Sequence, residues 1–338
     1  SANSSSLVFG AGRWVSELVL RQFLVERILG LEFNKSLLIA LDRRHKEVRH
    51  PLPPEWRQAL EKHGFNADSF RNRLLWQRFL LKHYLFGIIT IFMNIFESLR
   101  DLSNDRTWTD VNYVYFHALS ENNLPVDTKN GRKSHDIVSW YNQWSGKAPN
   151  IKRICHSVKD ASPTTIEDLE LKFVASPIPA LKGAVQFGAY LFWGILVINS
   201  VLLDLFRGKY WHAVLLRESA KAGQIRLIKP ENLASDYMFH NSNHIYRPLW
   251  TYDAEQMGAR VLFYFYSTNI ETFKTPEGYA LQENTWNLLS WGNYLVWDDY
   301  QADFIRRWTT DKAKIHIVGS IWFSTSNRDL PKTENDKV

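Results

Sequence analysis

Residues 236–266, DYMFHNSNHIYRPLWTYDAEQMGARVLFYFY, decide how the rest of the chain is read. A short apolar run, YMFH, ends in the polar cluster HNSNH. A helix-like stretch, YRPLWTYDAEQMG, follows, and then the dense apolar run ARVLFYFYST. Strand, polar loop, helix and second strand within about 30 residues is the pattern of a βαβ unit. Its polar loop falls at the carboxyl end of the first strand, where open α/β sheets bind ligands.

The same alternation extends in both directions. Downstream, YLVWDD (294–299) begins a strand, QADFIRRW a helix and KIHIVGSIWF (314–323) a last strand. Upstream, VNYVYFHAL (111–119) is strand-like and leads into the polar loop SENNLPVDTKNGRKSHD. IVSWYNQW (137–144) reads as a helix, while NIKRICHSV (150–158) and LKFVASPIP (171–179) read as strands, the latter stopped by its prolines. Six or seven strands alternating with helices predict an α/β fold, a mostly parallel sheet with helices on both faces. The chain ahead of them is helical in pattern. Residues 14–41 are amphipathic, PLPP (51–54) breaks the chain, and EWRQALEKHGF (55–65) is a short helix closed by Gly64. Residues 70–100 are helical again, with YLFGIITIFMNIF (84–96) apolar nearly throughout. The expected organisation is a helical region over 1–110, an α/β domain over 111–325, and a tail or linker over 326–338.

Composition narrows the function classes. Of 338 residues, 45% are apolar and 22% charged, enough to bury a sizeable core and too apolar for disorder. The 14 tryptophans and 20 phenylalanines suit a ligand cleft or a membrane interface. Cys155 is the single cysteine, which excludes an intramolecular disulfide and suits a reducing compartment. The opening residues SANSSS carry no basic segment ahead of a long apolar one, so no secretory signal is expected. Charge is uneven, with 23 Lys/Arg against 16 Asp/Glu in residues 1–160 and 18 against 19 in residues 161–338. A basic half suits anionic lipid or a phosphorylated ligand. No basic stripe accompanies an RNA- or DNA-binding signature, so nucleic acid is not an expected partner.

The stretch AVQFGAYLFWGILVINSVLLDLF (184–206) carries one aspartate and no other charge, with Lys182, Arg207 and Lys209 at its ends. About 20 apolar residues suffice to span a bilayer. The elements before and after it read as parts of one sheet, and a single span would separate them. Gln186, Asn199 and Asp204 also make a weak polar stripe. A helix lying in the plane of one leaflet comes first, a core helix next and a span last. The expected location is cytoplasmic, peripheral to the inner membrane.

Candidate site residues lie in the two polar loops. Glu121 and Asp136, after the first strand, are candidates for a general base that takes a proton from a hydroxyl nucleophile; the alternative is a loop carboxylate in water. His117, at the end of the first strand, is a third candidate for that base, and His135, beside Asp136, is a candidate substrate-binding residue. In the second loop, HNSNH, His240 would line a cleft and His244 would cap or orient the next helix. Arg247 stands beside Pro248 at a helix start, as an anion binder or as a surface arginine paired with Asp253 or Glu255. His240 and His244 are four apart, a metal spacing only on a helix. They straddle a strand end and a loop with no glutamate between them, so no metal is expected. No Gly-x-Gly-x-x-Gly, Gly-Lys-Ser/Thr or Gly-x-Ser-x-Gly string and no Asp-x-Asp pair occurs in these contexts, and no cofactor is implied.

HNSNHIYRPLWTYDAEQMGARVLFYFYSTN (240–269), NYLVWDDYQADFIRRW (293–308) and KIHIVGSIWFS (314–324) resemble the bacterial polysaccharide-biosynthesis proteins named for a PFTS motif. More loosely, the chain is similar to the acceptor-side half of GT-B glycosyltransferases. That resemblance implies a Rossmann-like domain that binds a glycan or lipid-linked acceptor and supplies the base, with His240, Asn241, Asn243 and Arg247 lining the acceptor cleft or touching the donor phosphates. A nucleotide-sugar donor would bind a second domain, expected beyond Val338 or on another chain, since neither a PFTS string nor a donor-binding turn occurs here. Two other readings stay open: a membrane-associated scaffold of glycan assembly without catalysis, and a sugar-nucleotide epimerase-like domain.

Overall fold

The computed structural model describes residues 13–28, 30–42, 46–102, 109–117, 119, 123–124, 136–145, 151–159, 165–166, 169–240, 246–265, 274–275, 278–279, 288–309 and 313–321. Among the described residues four helices come first: α1 (Arg13–Ile28), α2 (Leu31–Asp42), α3 (Pro54–Lys62) and the long α4 (Phe70–Leu102). The amphipathic run at 14–41 is therefore two helices. The Gly30 carbonyl accepts from the amides of Phe33 and Asn34, so a new helix starts there. α3 begins at Pro54, whose fixed φ suits a first turn, and ends before Gly64, which takes φ +78°.

The α/β part follows as β1 (Tyr113–Phe116), α5 (Ile137–Ser145), β2 (Arg153–His156), β3 (Thr165–Ile166) and β4 (Leu169–Phe173). A helical excursion, α6 (Ala184–Phe206), α7 (Trp211–Val214) and α8 (Leu216–Ile225), leads to β5 (Asp236–His240), α9 (Trp250–Gln256) and β6 (Arg260–Tyr264). A two-stranded antiparallel pair, β7 (Lys274–Thr275) and β8 (Gly278–Tyr279), precedes β9 (Asn293–Val296), α10 (Asp299–Trp308) and β10 (Lys314–Ile317).

The main sheet has the order β10-β9-β6-β5-β1-β2-β4-β3. Seven strands are parallel and only the two-residue edge strand β3 is antiparallel. Numbering the parallel strands by chain order gives 3-2-1-4-5-6-7, the doubly wound Rossmann-like arrangement with one strand added. Strand chemistry explains it: VYF, RVLFY and NYLV are buried on both faces, as a covered parallel sheet demands.

Right-handed crossovers fix which face each helix covers. The chain moves one way along the sheet from β1 to β4 and the opposite way from β5 to β10, so their crossover helices lie on opposite faces. α5 packs with Val114, Phe116, Ile154 and Leu262 on one face. Tyr113, Tyr115, Val261 and Phe263 face the other, with α8, α9, α10 and the N-terminal helices. Helices cover both faces, but unequally.

On the thicker side α4 and α6 form an outer layer. They run antiparallel, since the Tyr84 hydroxyl donates to the Ile198 carbonyl at 3.3 Å and Asn94 Nδ2 donates to the Tyr190 hydroxyl at 2.9 Å. Both bed onto α8. Gly87 lies against Leu216, Gly223 against Trp193, and the Tyr190 hydroxyl donates to the Ala220 carbonyl at 3.0 Å. Residues Tyr190, Gly194, Val197, Val201 and Asp204 form the buried stripe of α6. Its polar residues therefore do not share one stripe: Asp204 is buried with its Oδ2 2.6 Å from His212 Nδ1, while Asn199 is exposed and donates to its own helix at the Ile195 carbonyl.

Candidate functional site

The strand order reverses between β1 and β5, which pair directly through Val114–Asp236, Tyr115–Tyr237 and Phe116–Met238. From their carboxyl ends the chain leaves in opposite directions, to β2 and to β6, and a crevice opens between the departing segments at such a switch point. Both polar loops singled out in the sequence, after His117 and after His240, leave from this place.

His117 continues the β1 ladder, its amide donating to the Met238 carbonyl at 2.9 Å. Its half-buried ring lies 4.8 Å from that of Phe239 on β5. His240 is the last residue of β5, paired with Tyr264 of β6. His156, unremarked in the sequence, ends the adjacent β2; its Nδ1 accepts from the Val158 amide at 3.2 Å, and burial lowers its pKa. Topology thus gathers His117, His156 and the backbone of His240 at one edge. Glu121, His135, Asn241, Asn243 and His244 lie outside the described residues.

Asp136 is buried just before α5, and its Oδ1 accepts from the Ser139 amide at 2.9 Å. It is an N-cap, not a carboxylate in water. Arg247 corrects the expectation of an anion-facing arginine, since it is only 2% exposed. Its Nε donates to Thr251 Oγ1 at 2.9 Å and its Nη1 to the Ser290 carbonyl at 2.7 Å, its Nη2 pairs with Glu255, and its guanidinium stacks 3.9 Å from the Tyr252 ring. It pins the loop between β5 and α9 to the loop before β9. Of the two carboxylates expected to pair with it, Glu255 does, while Asp253 binds Arg226 instead.

Sequence reasoning missed what lies over this edge. Gln22, on α1, is fully buried; its Nε2 donates to the Leu288 carbonyl at 2.5 Å and to Ser290 Oγ at 2.7 Å, and its Oε1 accepts from the Arg247 amide at 3.2 Å. This clamp lays α1 across the carboxyl edge. One turn on, Glu26 has its pKa raised, chiefly by burial, with Glu218 of α8 adding repulsion and Arg27 opposing both. Tyr246, the first described residue after the 241–245 loop, is held in the protonated form by burial and by Glu218. His83 of α4 stays neutral, its pKa lowered to about 4 by burial and by Lys82, Arg27 and Arg217. Two carboxylates and a phenol thus share one neighbourhood, with the Phe23 ring between Tyr246 and the neutral imidazole of His83, and a carboxyl with a raised pKa is suited to proton transfer near neutrality. Only tertiary contact shows this, because these residues come from four separate segments.

Neither the cleft at the amino edge nor the cysteine offers such chemistry. A cleft of about 460 Å³ opens at the amino edge between residues 179–186 and 228–232; its lining contains Lys182, Lys229 and Asn232 but no carboxylate or histidine. Cys155 is buried in β2, and burial pushes its thiol up to about 12, so it is no nucleophile at neutral pH. Among the described residues no three His, Cys, Asp or Glu side chains group as a metal site.

The doubly wound parallel sheet makes the chain an α/β protein of the Rossmann-like type. Residues 195–338, from the middle of α6 onward, match the model of the polysaccharide biosynthesis PFTS motif protein family, and over that stretch this chain is similar to those proteins. A segment of 88 residues is 32% identical to envelope glycoprotein B of Tupaiid herpesvirus (strain 2), covering 25% of this chain and 9% of that protein. That share is too small to carry a fold or an activity across. No solved structure matches the chain significantly.

Proposed function

We propose that this chain is the acceptor-side part of a glycosyltransferase that builds bacterial surface polysaccharide. A sugar would pass from a nucleotide-sugar donor, held by a second domain or chain, to a hydroxyl of a glycan or lipid-linked acceptor. What supports the reading is one coincidence: both polar loops leave the switch point between β1 and β5, and the β5 loop lies within the region similar to PFTS-motif polysaccharide biosynthesis proteins. The acceptor would lie across the ends of β1 and β5, near His117, His135 and the segment His240, Asn241, Asn243 and His244. Glu121 would take the acceptor proton, while Asp136 would hold α5 in place from beneath. Glu26 is a second candidate, because its raised pKa fits the task.

The test is transfer by the full-length encoded protein, with labelled nucleotide sugars and a lipid-linked glycan acceptor. Loss of a general base costs on the order of 100-fold or more in rate. Such a loss in Glu121→Gln or Glu26→Gln, with stability unchanged, supports the reading and chooses between the two. Wild-type rates in both variants overturn the base assignment. No transfer from any donor, with the protein still retained in a glycan-assembly complex, favours a scaffold instead.

A further inference from the structure

The outer surface of α4 and α6 is the largest feature that the proposed function leaves unused. Each of these helices is long and apolar enough to cross a membrane, yet only 28% of each apolar stretch is buried inside the protein. A core helix would be mostly buried. On α4, Leu85, Ile89, Phe92 and Phe96 face outward, the last three between 54% and 62% exposed. On α6, Phe192 is 65%, Ile195 54% and Leu203 54% exposed. The two helices lie side by side and antiparallel, so these exposed side chains make one apolar slab. Monomeric soluble proteins rarely expose apolar patches beyond a few hundred Å².

We infer that this slab docks in the plane of one leaflet of an anionic bilayer. Three observations select that occupant and that orientation. The inner stripe of α4, Trp76, Leu80, Tyr84, Gly87, Ile91 and Asn94, is buried along the length of the helix, as is the stripe of α6. The helices therefore lie flat on the α/β unit, and turning them across a bilayer would drag α8, with Glu218 and Gln224, into hydrocarbon. Exposed polar groups on or beside the slab are satisfied within their own helices: Asn199 donates to the Ile195 carbonyl at 2.8 Å and Thr90 to the Phe86 carbonyl at 2.8 Å. Contact with lipid requires this, and contact with water does not. Charge supplies the third observation. The outward face of α4 continues toward its start through exposed Arg78, Lys82 and Arg71, and Arg207 is exposed at the adjoining end of α6. The only acids of α4 are Glu97 and Asp101, at its far end, and the only acid of α6, Asp204, is buried. A second copy meeting this face would offer the basic corner no exposed carboxylate from α6 and none from the first 27 residues of α4. Anionic headgroups would complement it.

The proposal goes beyond sugar transfer and stands whether or not transfer occurs. The test is co-flotation of the full chain with vesicles of phosphatidylethanolamine containing about a third phosphatidylglycerol, against phosphatidylcholine alone. Binding should fall at least about tenfold when Ile89→Asn, Phe92→Asn, Phe192→Asn and Ile195→Asn are combined, with the near-ultraviolet dichroism unchanged. Arg71→Gln, Arg78→Gln and Lys82→Gln together should abolish the preference for anionic vesicles. Because Cys155 is buried, Phe92→Cys can be labelled selectively with a fluorophore. Quenching by lipids labelled near the headgroup supports in-plane docking, and strongest quenching from the bilayer midplane overturns it. So does flotation unchanged by the fourfold variant, or a Phe92→Cys chain that ignores vesicles and forms dimers cross-linked through its introduced thiol. If the fourfold variant loses its dichroism, Phe92→Asn and Phe192→Asn are tested singly, and full binding by both overturns the proposal.

Discussion

Gly87 gives a test in which two known effects of opposite sign compete. A Cβ placed there would lie within 2.7 Å of three Leu216 atoms, Cβ, Cγ and Cδ2. Ordinary contact begins about 3.4 Å apart. Two of the three atoms are at the root of the leucine side chain, so no rotamer change clears the space and the helices must part. Alanine in place of glycine within a helix stabilises by about 1 kcal/mol. Overpacking costs about 1–3 kcal/mol, and an overlap near an ångström belongs in the upper half of that range. Gly87→Ala should therefore lose about 1–2 kcal/mol net. Gly188 on α6 is the control, with nothing within 4 Å of a Cβ placed there. At that position only the propensity acts, and Gly188→Ala should gain up to about 1 kcal/mol. Urea unfolding followed by tryptophan fluorescence, at one fixed detergent concentration, should show the two midpoints moving in opposite directions. Leu216→Ala alone should cost about 2–5 kcal/mol, but less in the Gly87→Ala background, because there it relieves the overlap. A Gly87→Ala midpoint raised as far as that of Gly188→Ala would mean that α4 does not bed on α8, and the layered arrangement would fall with it.

Three further outcomes are expected. His83 has its folded pKa depressed to about 4, so the unfolded chain binds this proton more readily and the stability it protects is full above about pH 6.5 and lost as pH falls toward 4. The full shift would be about 3 kcal/mol, and partial exposure of the ring reduces it to about 2 kcal/mol; His83→Phe should flatten the stability profile between pH 4 and 7. Arg247→Met removes a buried, multiply bonded cation and should cost about 3 kcal/mol of unfolding free energy, with Arg247→Lys failing to restore it because a lysine cannot both stack on Tyr252 and bond Thr251, Ser290 and Glu255. Asp236, fully buried at the start of β5, takes Arg260 on both oxygens at 2.6 and 2.5 Å and the Tyr141 hydroxyl as well. Asp236→Asn should lower stability by about 2 kcal/mol, read by calorimetry, and leave any sugar transfer per folded molecule unchanged, since this cluster is at the opposite edge from the switch point.

The elements were legible where burial and period agreed. YMFH, the helix after it and ARVLFY became β5, α9 and β6 close to the expected bounds, because parallel strands buried on both faces leave continuous apolar runs between turn residues. Residues 14–41 read as one helix because the apolar period continues through Gly30, where the backbone turns. The sheet order was not legible, since it depends on which way each crossover is wound. At the candidate site, both loops trace back to the switch point, but the setting of Arg247 was not legible. An arginine in a polar context looks exposed until Tyr252, Trp291 and Gln22 close over it from positions up to 225 residues away. Gln22 and Glu26 give no signal at all, because a polar residue on an amphipathic helix normally means its solvated side. The apolar run at 84–96 was visible, but not that its outer half would remain uncovered.

The two proposals meet in the direction of the helices. α8 begins beside the carboxyl edge, where Glu218 meets Tyr246, and ends before residues 228–232, which lead into the start of β5 at the amino edge. α6 runs the opposite way, starting at the amino-edge cleft. α4 is antiparallel to α6, so its basic first half must lie toward the carboxyl edge. The aromatic chain His83–Phe23–Tyr246, with ring separations of 5.3 and 5.8 Å, joins it to the segment just after the 241–245 loop. The basic corner of the slab and the switch point therefore share one end of the molecule. On the docking proposal, the charged headgroups gathered by Arg71, Arg78 and Lys82 would lie beside the loops assigned to the acceptor, so that a lipid-linked sugar would reach them without leaving the membrane surface. Soluble and lipid-linked acceptors separate the two ideas. Neutralising those three residues should slow transfer to a lipid-linked acceptor and leave transfer to a soluble acceptor unchanged. Equal slowing of both would place the residues in the sugar site and remove the membrane from the mechanism.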